Sequence, residues 1–498
     1  MEKLIESGRG DVLAVTAGVL FTLSFSPFDF PVLVFIALAV FKLLLTELSL
    51  KKAVLRGFLF GLGIFGLGVS WVFVSMVVNE QANLTLPILM TLFYCGFWAI
   101  FPAISAYLFA KLRRNKHSDW LIFSCIWVFV EYIRGEWVLN GFPWLQVAYS
   151  QLDSPFAGFI PVFGSYGTGF VVVLLAALFA EAFIDKTKII VIFVIFPFLI
   201  IGGGGLKGVD WTKVNGDLIK VTLIQGNIAQ KDKWAIENRN ITLKQYYDDS
   251  AKHWDSDVIV WPETAIPAYY ADVKEDYLIP LEQEAIQNNT DIITSLPHKD
   301  KTGKLYNSVL VLGKMPGMYK KIHLLPFGEY LPWQPISGYV LGLMDIRLGN
   351  FSAGAVDQSL LKVAGHNIVT SICYEDAFGD LIRNSLPAAT LLVNVSNDAW
   401  FGDSIAPHQH LEIARMRALE SGRYLLRATN TGISAVINTK GKVTMHTPQF
   451  QIITLRSPAQ AYQGSTPYVR FGNGLILSIL LLCLLLGIKL ELKHANPV

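Results

Sequence analysis

The sequence predicts a multi-pass α-helical membrane region that carries one α/β domain outside the bilayer. Three observations predict it. Apolar runs follow one another through about the first two hundred residues and return near the end of the chain. Charged residues make up 16% of the chain, against roughly 25% in an average soluble domain, and the shortage falls in those same stretches. Between them, over residues 218–455, short β-branched runs alternate with helical patterns. The net charge is +2 over 498 residues, which gives no argument for a nucleic-acid partner.

The apolar runs come in order. They are Val12–Pro27, Phe30–Leu45 (interrupted by Lys42), Gly57–Val78, Leu86–Ala110, Trp120–Val130 with a polar continuation, Val162–Ala180, Ile189–Ile201 and Leu475–Ile488. Most reach or approach the roughly 20 residues that cross a bilayer. A succession of about eight is hard to read as buried core helices of a soluble protein. The first run has the charged start of a signal peptide. Ser24-Phe25-Ser26-Pro27 is a poor cleavage site, so a retained first helix is expected. The runs show no charged pairs at mid-membrane depth, which argues against a transporter.

Orientation follows from Lys and Arg. Lys3 and Arg9 precede the first run, and Lys42, Lys51, Lys52 and Arg56 lie around the second loop. Lys111, Arg113, Arg114 and Lys116 follow the fourth run, Lys186 and Lys188 the sixth, and Lys489 and Lys493 the last. The alternate loops Phe28-Asp29 and Asn79–Asn83 have none. Both termini are therefore expected in the cytoplasm and the region from about 205 to 472 on the far side. Parity depends on the first hairpin being two helices. Asn140-Gly141-Phe142-Pro143-Trp144-Leu145-Gln146 falls in a far-side loop. Its aromatics read either as interfacial anchors or as a surface facing a substrate from the outer leaflet.

The expected division is a membrane domain over 1–204 with about seven helices, a linker over 205–217, an α/β domain over 218–456, a linker over 457–472, a last helix over 473–490 and a tail over 491–498. Gly202–Gly205 reads as a flexible exit from the seventh helix. Strands are expected at Leu218–Ile224, Asp257–Trp261, Ile292–Leu296, Ser308–Leu312, Ile368–Ile372 and Leu391–Val395, with helices at Tyr277–Asn288 and Gln409–Glu420. About 240 residues suffice for one core. No Gly-rich phosphate fingerprint follows a strand, and no Cys/His cluster has zinc spacing. His408 and His410, two apart, would not face each other on a helix.

Cys373 is the most informative residue. Cys95, Cys125 and Cys483 lie in apolar segments, whereas Cys373 alone lies between Lys207 and Arg470, in Ser371-Ile372-Cys373-Tyr374-Glu375-Asp376. Outside the cytoplasm thiols usually pair, so a lone thiol reads either as a reactive group or as a small buried core residue. Glu263 follows a predicted strand in Trp261-Pro262-Glu263-Thr264, and Lys321 lies in Lys320-Lys321-Ile322-His323. In open α/β sheets the carboxyl ends of strands converge on one crevice. A carboxylate there can take the thiol proton, and an ammonium favours the thiolate and stabilises an oxyanion. Glu375 and Asp376 suit the first turn of a helix, whose dipole would add positive potential at the sulfur.

These motifs carry a resemblance. Trp261-Pro262-Glu263-Thr264, the run Lys320–Glu329 and Ile372-Cys373-Tyr374-Glu375, in this order, resemble the nitrilase (carbon–nitrogen hydrolase) superfamily with its Glu-Lys-Cys triad. Gln225-Gly226-Asn227-Ile228, Asn394–Gly402, and Arg415, Ala418, Glu420 and Arg423 with Ala428–Gly432 extend the match. The resemblance implies an αββα sandwich. Such a domain between membrane helices, together with Asn140–Trp144, resembles the bacterial apolipoprotein N-acyltransferase family over nearly the whole chain.

That resemblance implies a two-step acyl transfer with no cofactor and no metal. Cys373 attacks the sn-1 ester of a phospholipid, typically phosphatidylethanolamine, with Glu263 as base and Lys321 on the oxyanion. The thioester is then taken by the α-amino group of a diacylglyceryl-apolipoprotein. Glu329 is implied as a second carboxylate that positions Lys321, and Tyr374 and Glu375 as residues that shape the site. Trp234, Trp400 and Phe401 read as lining for an acyl or lipid path, or as core. A monomer in the bacterial inner membrane is expected, with the catalytic domain extracytoplasmic. The segments Ala265–Asp291 and Leu331–Gly354, rich in Tyr, Trp, Leu and Pro, are expected as mobile lipid-facing arms. A membrane-tethered amidase and a non-catalytic scaffold are the competing readings.

Overall fold

The computed structural model describes residues 8–77, 84–113, 118–332 and 350–495. The chain forms two compact units, one of Met1–Val209, Asp403–Glu412 and Arg470–Val498, the other of Asp210–Gly402 and Ile413–Val469.

In the first unit every expected apolar run is helical: Gly8–Thr22, Leu33–Leu44, Leu50–Gly68 with Trp71–Val77, Thr85–Leu112, Asp119–Glu136, Ile160–Ile184, Lys188–Lys207 and Pro467–Ala495. The first hairpin is thus two helices. Among the described residues, four helices are long and apolar enough to cross a membrane, or five if the pair bent by 52° at Val69-Ser70 is one span. The expected eight is not reached for two reasons. Gly8–Thr22 and Leu33–Leu44 have only 15 and 12 residues. Asp119–Glu136 carries Asp119, Glu131, Arg134 and Glu136.

Two expectations for this unit change. Gly202–Gly205 is not a flexible exit but the last turn of Lys188–Lys207. A Cβ at Gly158 would lie 1.9 Å from the Gly203 carbonyl, so small residues let the segment Pro155–Phe159 pack directly on the helix. Charged pairs occur at the ends of the apolar runs. Lys42 is paired with Glu181, and Asp11 accepts from Lys52 at 2.6 Å and Arg56 at 3.1 Å, with Lys42, Glu181 and Arg56 buried. Each of these charges faces a neighbouring helix that supplies its partner. The loop after Asp119–Glu136 is buried at Phe142, Trp144, Leu145 and Gln146 rather than standing at an interface. Arg134 donates to the carbonyls of Phe142 and Trp144, each at 2.8 Å, and Trp144 Nε1 donates to Gln409 Oε1 at 2.6 Å. The loop Asn79–Asn83 and the charges Lys3, Arg114 and Lys116 lie outside the described residues.

The second unit is an α/β sandwich of two six-stranded sheets, ordered β12-β1-β2-β3-β4-β5 and β11-β10-β9-β8-β7-β6. The first holds β1 (Lys213–Gln225), β2 (Val258–Val260), β3 (Asp291–Lys299), β4 (Leu305–Leu312), β5 (Gly317–Lys320) and β12 (Ile453–Gln463). The second holds β6 (Leu361–Val363), β7 (His366–Ile372), β8 (Leu391–Ser396), β9 (Leu425–Thr429), β10 (Ala435–Ile437) and β11 (Val443–His446). Val221, Val258, Ile293 and Val309 of one sheet share a buried cluster with Ile368, Val393, Leu426 and Val436 of the other. Ile259 and Ile292 turn the other way and pack with Leu243 of helix Ile236–Ala251 and Leu281 of helix Ile279–Gln287. The central strands β1-β2-β3 and β7-β8-β9 run parallel, covered on both faces, which is why β2 reads as an unbroken apolar run.

The boundaries read from sequence shift. β12 pairs antiparallel with β1 from Ile453 to Gln463, across the expected boundary at 456, and β1 begins at Lys213 inside the expected linker. Alternate residues of β12 are buried, the mark of a half-exposed edge strand that a search for continuous apolar runs passes over. The segment Ala265–Asp291 is not an arm. Ala265, Ile266, Ala268, Val273, Leu278, Leu281 and Ala285 are buried against the first sheet. The second expected arm lies outside the described residues over 333–349.

Candidate active site

β2 and β7 are central parallel strands, and just beyond the carboxyl end of each lies one residue of the expected triad. After β2 the chain turns through Trp261, whose indole is buried and donates to Ser250 Oγ at 2.9 Å. Thr264 takes a left-handed φ of +49° and donates its backbone N–H to Ser295 Oγ. Glu263 lies between these two anchors. Its carboxylate accepts from Asn307 Nδ2 at 2.8 Å and its carbonyl from Lys233 Nζ at 3.0 Å.

Lys321 follows β5, and its backbone N–H donates to the Asn307 carbonyl at 2.8 Å. Its ammonium is buried and lies 2.8 Å from Glu329 Oε2. The other Glu329 oxygen accepts from the same Asn307 amide at 3.0 Å. One asparagine thus joins both carboxylates, and one carboxylate fixes the lysine. Burial alone would push Lys321 down. Glu329, then Glu263, reverse this and hold it above its ordinary value.

Cys373 is the first residue after β7 and adopts φ +52°, a region a side chain with a Cβ seldom enters. Strain of this kind persists only where the surrounding structure holds it, and it clusters at functional sites. Cys373–Ala377 form a single 3₁₀ turn of five residues, not the longer helix expected, so the dipole contribution is small. Nor does Lys321 make the thiol acidic. Burial pushes Cys373 well above its ordinary value, the charge of Glu263 pushes the same way, and Lys321 only partly opposes them. Burial and Glu263 thus favour the thiol over the thiolate, so a reaction at Cys373 would have to remove its proton.

Glu375 ties the cysteine turn to the lysine loop. Its Oε1 accepts from Tyr319 OH at 2.9 Å and from the N–H groups of Ile322 and His323, and its Oε2 from the N–H of Ile372. Tyr374 is buried edge-to-face on Phe378, at a centroid distance of 5.1 Å. Trp234 and Trp400 are 52% and 39% exposed, and Phe401 is partly exposed, so they are not core residues. Among the described residues no group of His, Cys, Asp or Glu could hold a metal.

Sequence reading missed Asn307, Lys233 and Arg427, and gave Asn394 and Asp398 only as part of a matching run, without a role. The available signal was polarity inside strands, with Asn307 in β4, Asn394 in β8 and Arg427 in β9 all buried among apolar neighbours.

Comparison with known proteins finds two family matches in the chain. Residues 17–178 match the apolipoprotein N-acyltransferase N-terminal domain and residues 220–462 the carbon-nitrogen hydrolase domain. Apolipoprotein N-acyltransferase of Methylococcus capsulatus is 42% identical over 93% of this chain and 92% of its own. That of Nitrosomonas europaea is 39% identical over 96% of both chains, and that of Pseudomonas syringae pv. tomato 38% over 96% of this chain and 95% of its own.

Proposed function

The chain belongs to the apolipoprotein N-acyltransferase family, and from that premise we propose that it moves a fatty acyl chain from a phospholipid to a lipoprotein amine through a thioester on Cys373. The observation that carries this reading is the buried Lys321–Glu329 pair joined through Asn307 to Glu263, beside a thiol held at a strand end.

The first half-reaction begins as Glu263 takes the thiol proton and Sγ attacks the sn-1 ester carbonyl of a phospholipid, typically phosphatidylethanolamine. Lys321 stabilises the oxyanion, a contribution worth a few kcal/mol in comparable sites. The ester C–O bond breaks, Glu263 returns the proton to the departing alkoxide, and lysophospholipid leaves. In the second half the α-amino nitrogen of the S-diacylglyceryl cysteine of an apolipoprotein attacks the thioester. The C–S bond breaks, Glu263 takes the amine proton, and the thiol is restored. One site serving both substrates in turn gives ping-pong kinetics. In this reading the enzyme works as a monomer in the bacterial inner membrane, with its catalytic domain on the extracytoplasmic side, and the long apolar helices of the first unit support the membrane part of it. Exposed Trp234, Trp400 and Phe401 then offer an apolar path for the acyl chains.

The test incubates the wild type and Cys373→Ala with acyl-labelled phosphatidylethanolamine. A hydroxylamine-sensitive acyl-protein is expected on the wild type alone. No labelled thioester on the wild type, or an equal one on the variant, overturns the mechanism. Ammonia release from small amides without acyl transfer would assign the site to amidase chemistry instead.

A further inference from the structure

We infer that Arg427 and Asn394 are a positioning pair, in which the guanidinium locks the Asn394 amide so that its NH2 holds the carbonyl of Cys373. Both residues lie inside the second sheet. Asn394 on β8 is in register with Ser371 on β7 and with Arg427 on β9, so the three stand side by side beneath the nucleophile's turn. Arg427 and Asn394 are fully buried.

The chemistry of the donors fixes the amide's orientation. A guanidinium only donates, so the Asn394 atom 2.7 Å from Arg427 Nη1 must be the oxygen. The NH2 is therefore turned toward β7, where it donates to the Cys373 carbonyl at 3.2 Å and to Ser371 Oγ at 3.0 Å. Without the arginine the amide is free to rotate and offer its oxygen to the Cys373 carbonyl, which would repel it. The held carbonyl belongs to the residue at φ +52°, the one whose backbone most needs an external restraint.

The same guanidinium reaches the rest of the turn. Nη1 lies 3.3 Å from Asp376 Oδ2, three residues beyond Cys373, and Nη2 lies 3.1 Å from Asp398 Oδ2. Asp398 in turn accepts from Ser396 Oγ at 3.1 Å. Neutralising two aspartates would require nothing of Asn394. The short bond to Asn394 is what makes the arginine a positioning residue.

The inference rests on Cys373 being the acylated nucleophile, as in the proposed function, and the test separates the two. Two full-length variants are compared with the wild type. Asn394→Asp keeps the shape and the acceptor for Arg427 but cannot donate to the Cys373 carbonyl. Arg427→Met combined with Asp376→Asn and Asp398→Asn removes the buried charges together, so that no carboxylate is stranded. Acylation is read as the p-nitrophenol burst from p-nitrophenyl butyrate, and thiol access as iodoacetamide alkylation mapped to Cys373. The expected result is a burst rate down by about tenfold to a hundredfold in both variants, the scale of a misplaced reacting group. Alkylation should stay within about threefold and thermal unfolding within a few degrees. A wild-type burst rate in either folded variant, an equal fall in burst and alkylation, or no burst in the wild type overturns the positioning role. A wild-type burst without any acyl-enzyme from labelled phosphatidylethanolamine leaves the pair standing and removes the phospholipid reading.

Discussion

Lys321 and Glu329 face each other at 2.8 Å almost wholly out of water, and Glu329 is the strongest influence holding the lysine charged. Glu329→Gln removes that charge partner while keeping the shape. An uncompensated buried ammonium costs about 3–5 kcal/mol. Because Lys321 is raised in the folded state, its contribution is complete below its unfolded value and is lost as pH rises through the folded one. The variant should therefore unfold at lower temperature and at lower alkaline pH than the wild type. Acyl-enzyme formation should fall with it. Thermal scans at neutral and alkaline pH check both.

Glu263 has two effects on Cys373 that point in opposite directions. As a charge it raises the thiol, and in the proposed mechanism it is the base that removes the proton during attack. Glu263→Gln should shift the pH midpoint of Cys373 alkylation downward, since the like charge is gone. Acyl transfer should nevertheless drop by about 10²- to 10⁴-fold, the usual range for losing a general base. A lowered midpoint with acyl transfer undiminished would show that Glu263 acts only on thiol ionisation.

How far this site can be read from the sequence depends on where each residue lies. Glu263 and Cys373 follow β-branched runs that bury on both faces, so the strand ends, and with them the crevice, are visible in the order of residues. Lys321 and Glu329 stand on a loop whose motif is recognisable although its geometry is not. Asn307 and Arg427 are hidden because their roles come from cross-strand register, which sets residues far apart in sequence beside one another. The same holds for the membrane helices. The apolar runs mark where helices lie, but buried pairs such as Lys42–Glu181 link residues 139 positions apart.

Glu375 accepts four hydrogen bonds from three segments of chain, and burial pushes it up to about 7 against the pull of Lys321 and the backbone amides. A carboxyl raised in the folded state binds more protons there than in the unfolded chain between its ordinary value and about 7. Its contribution to stability therefore declines as pH rises through that window. Glu375→Gln should flatten the pH dependence of unfolding there. It should also destabilise by about 1–3 kcal/mol, because an NH2 would meet the donor of Ile372 or those of the lysine loop. Thermal unfolding of both proteins from acidic to neutral pH checks the slope.

The buried pair of Lys42 and Glu181 joins helices Leu33–Leu44 and Ile160–Ile184. Neither charge can reach water, so removing one strands the other. Lys42→Met should destabilise by about 3–5 kcal/mol, the range for breaking a buried pair. Lys42→Met with Glu181→Leu replaces both charges with apolar groups, and such replacements are often neutral or stabilising. The double variant should therefore unfold near the wild-type temperature, well above the single one, when both are measured in the same detergent. Equal losses in the two would mean that packing around Lys42, where its ammonium lies 5.9 Å from the Phe109 ring, matters more than the charge pair.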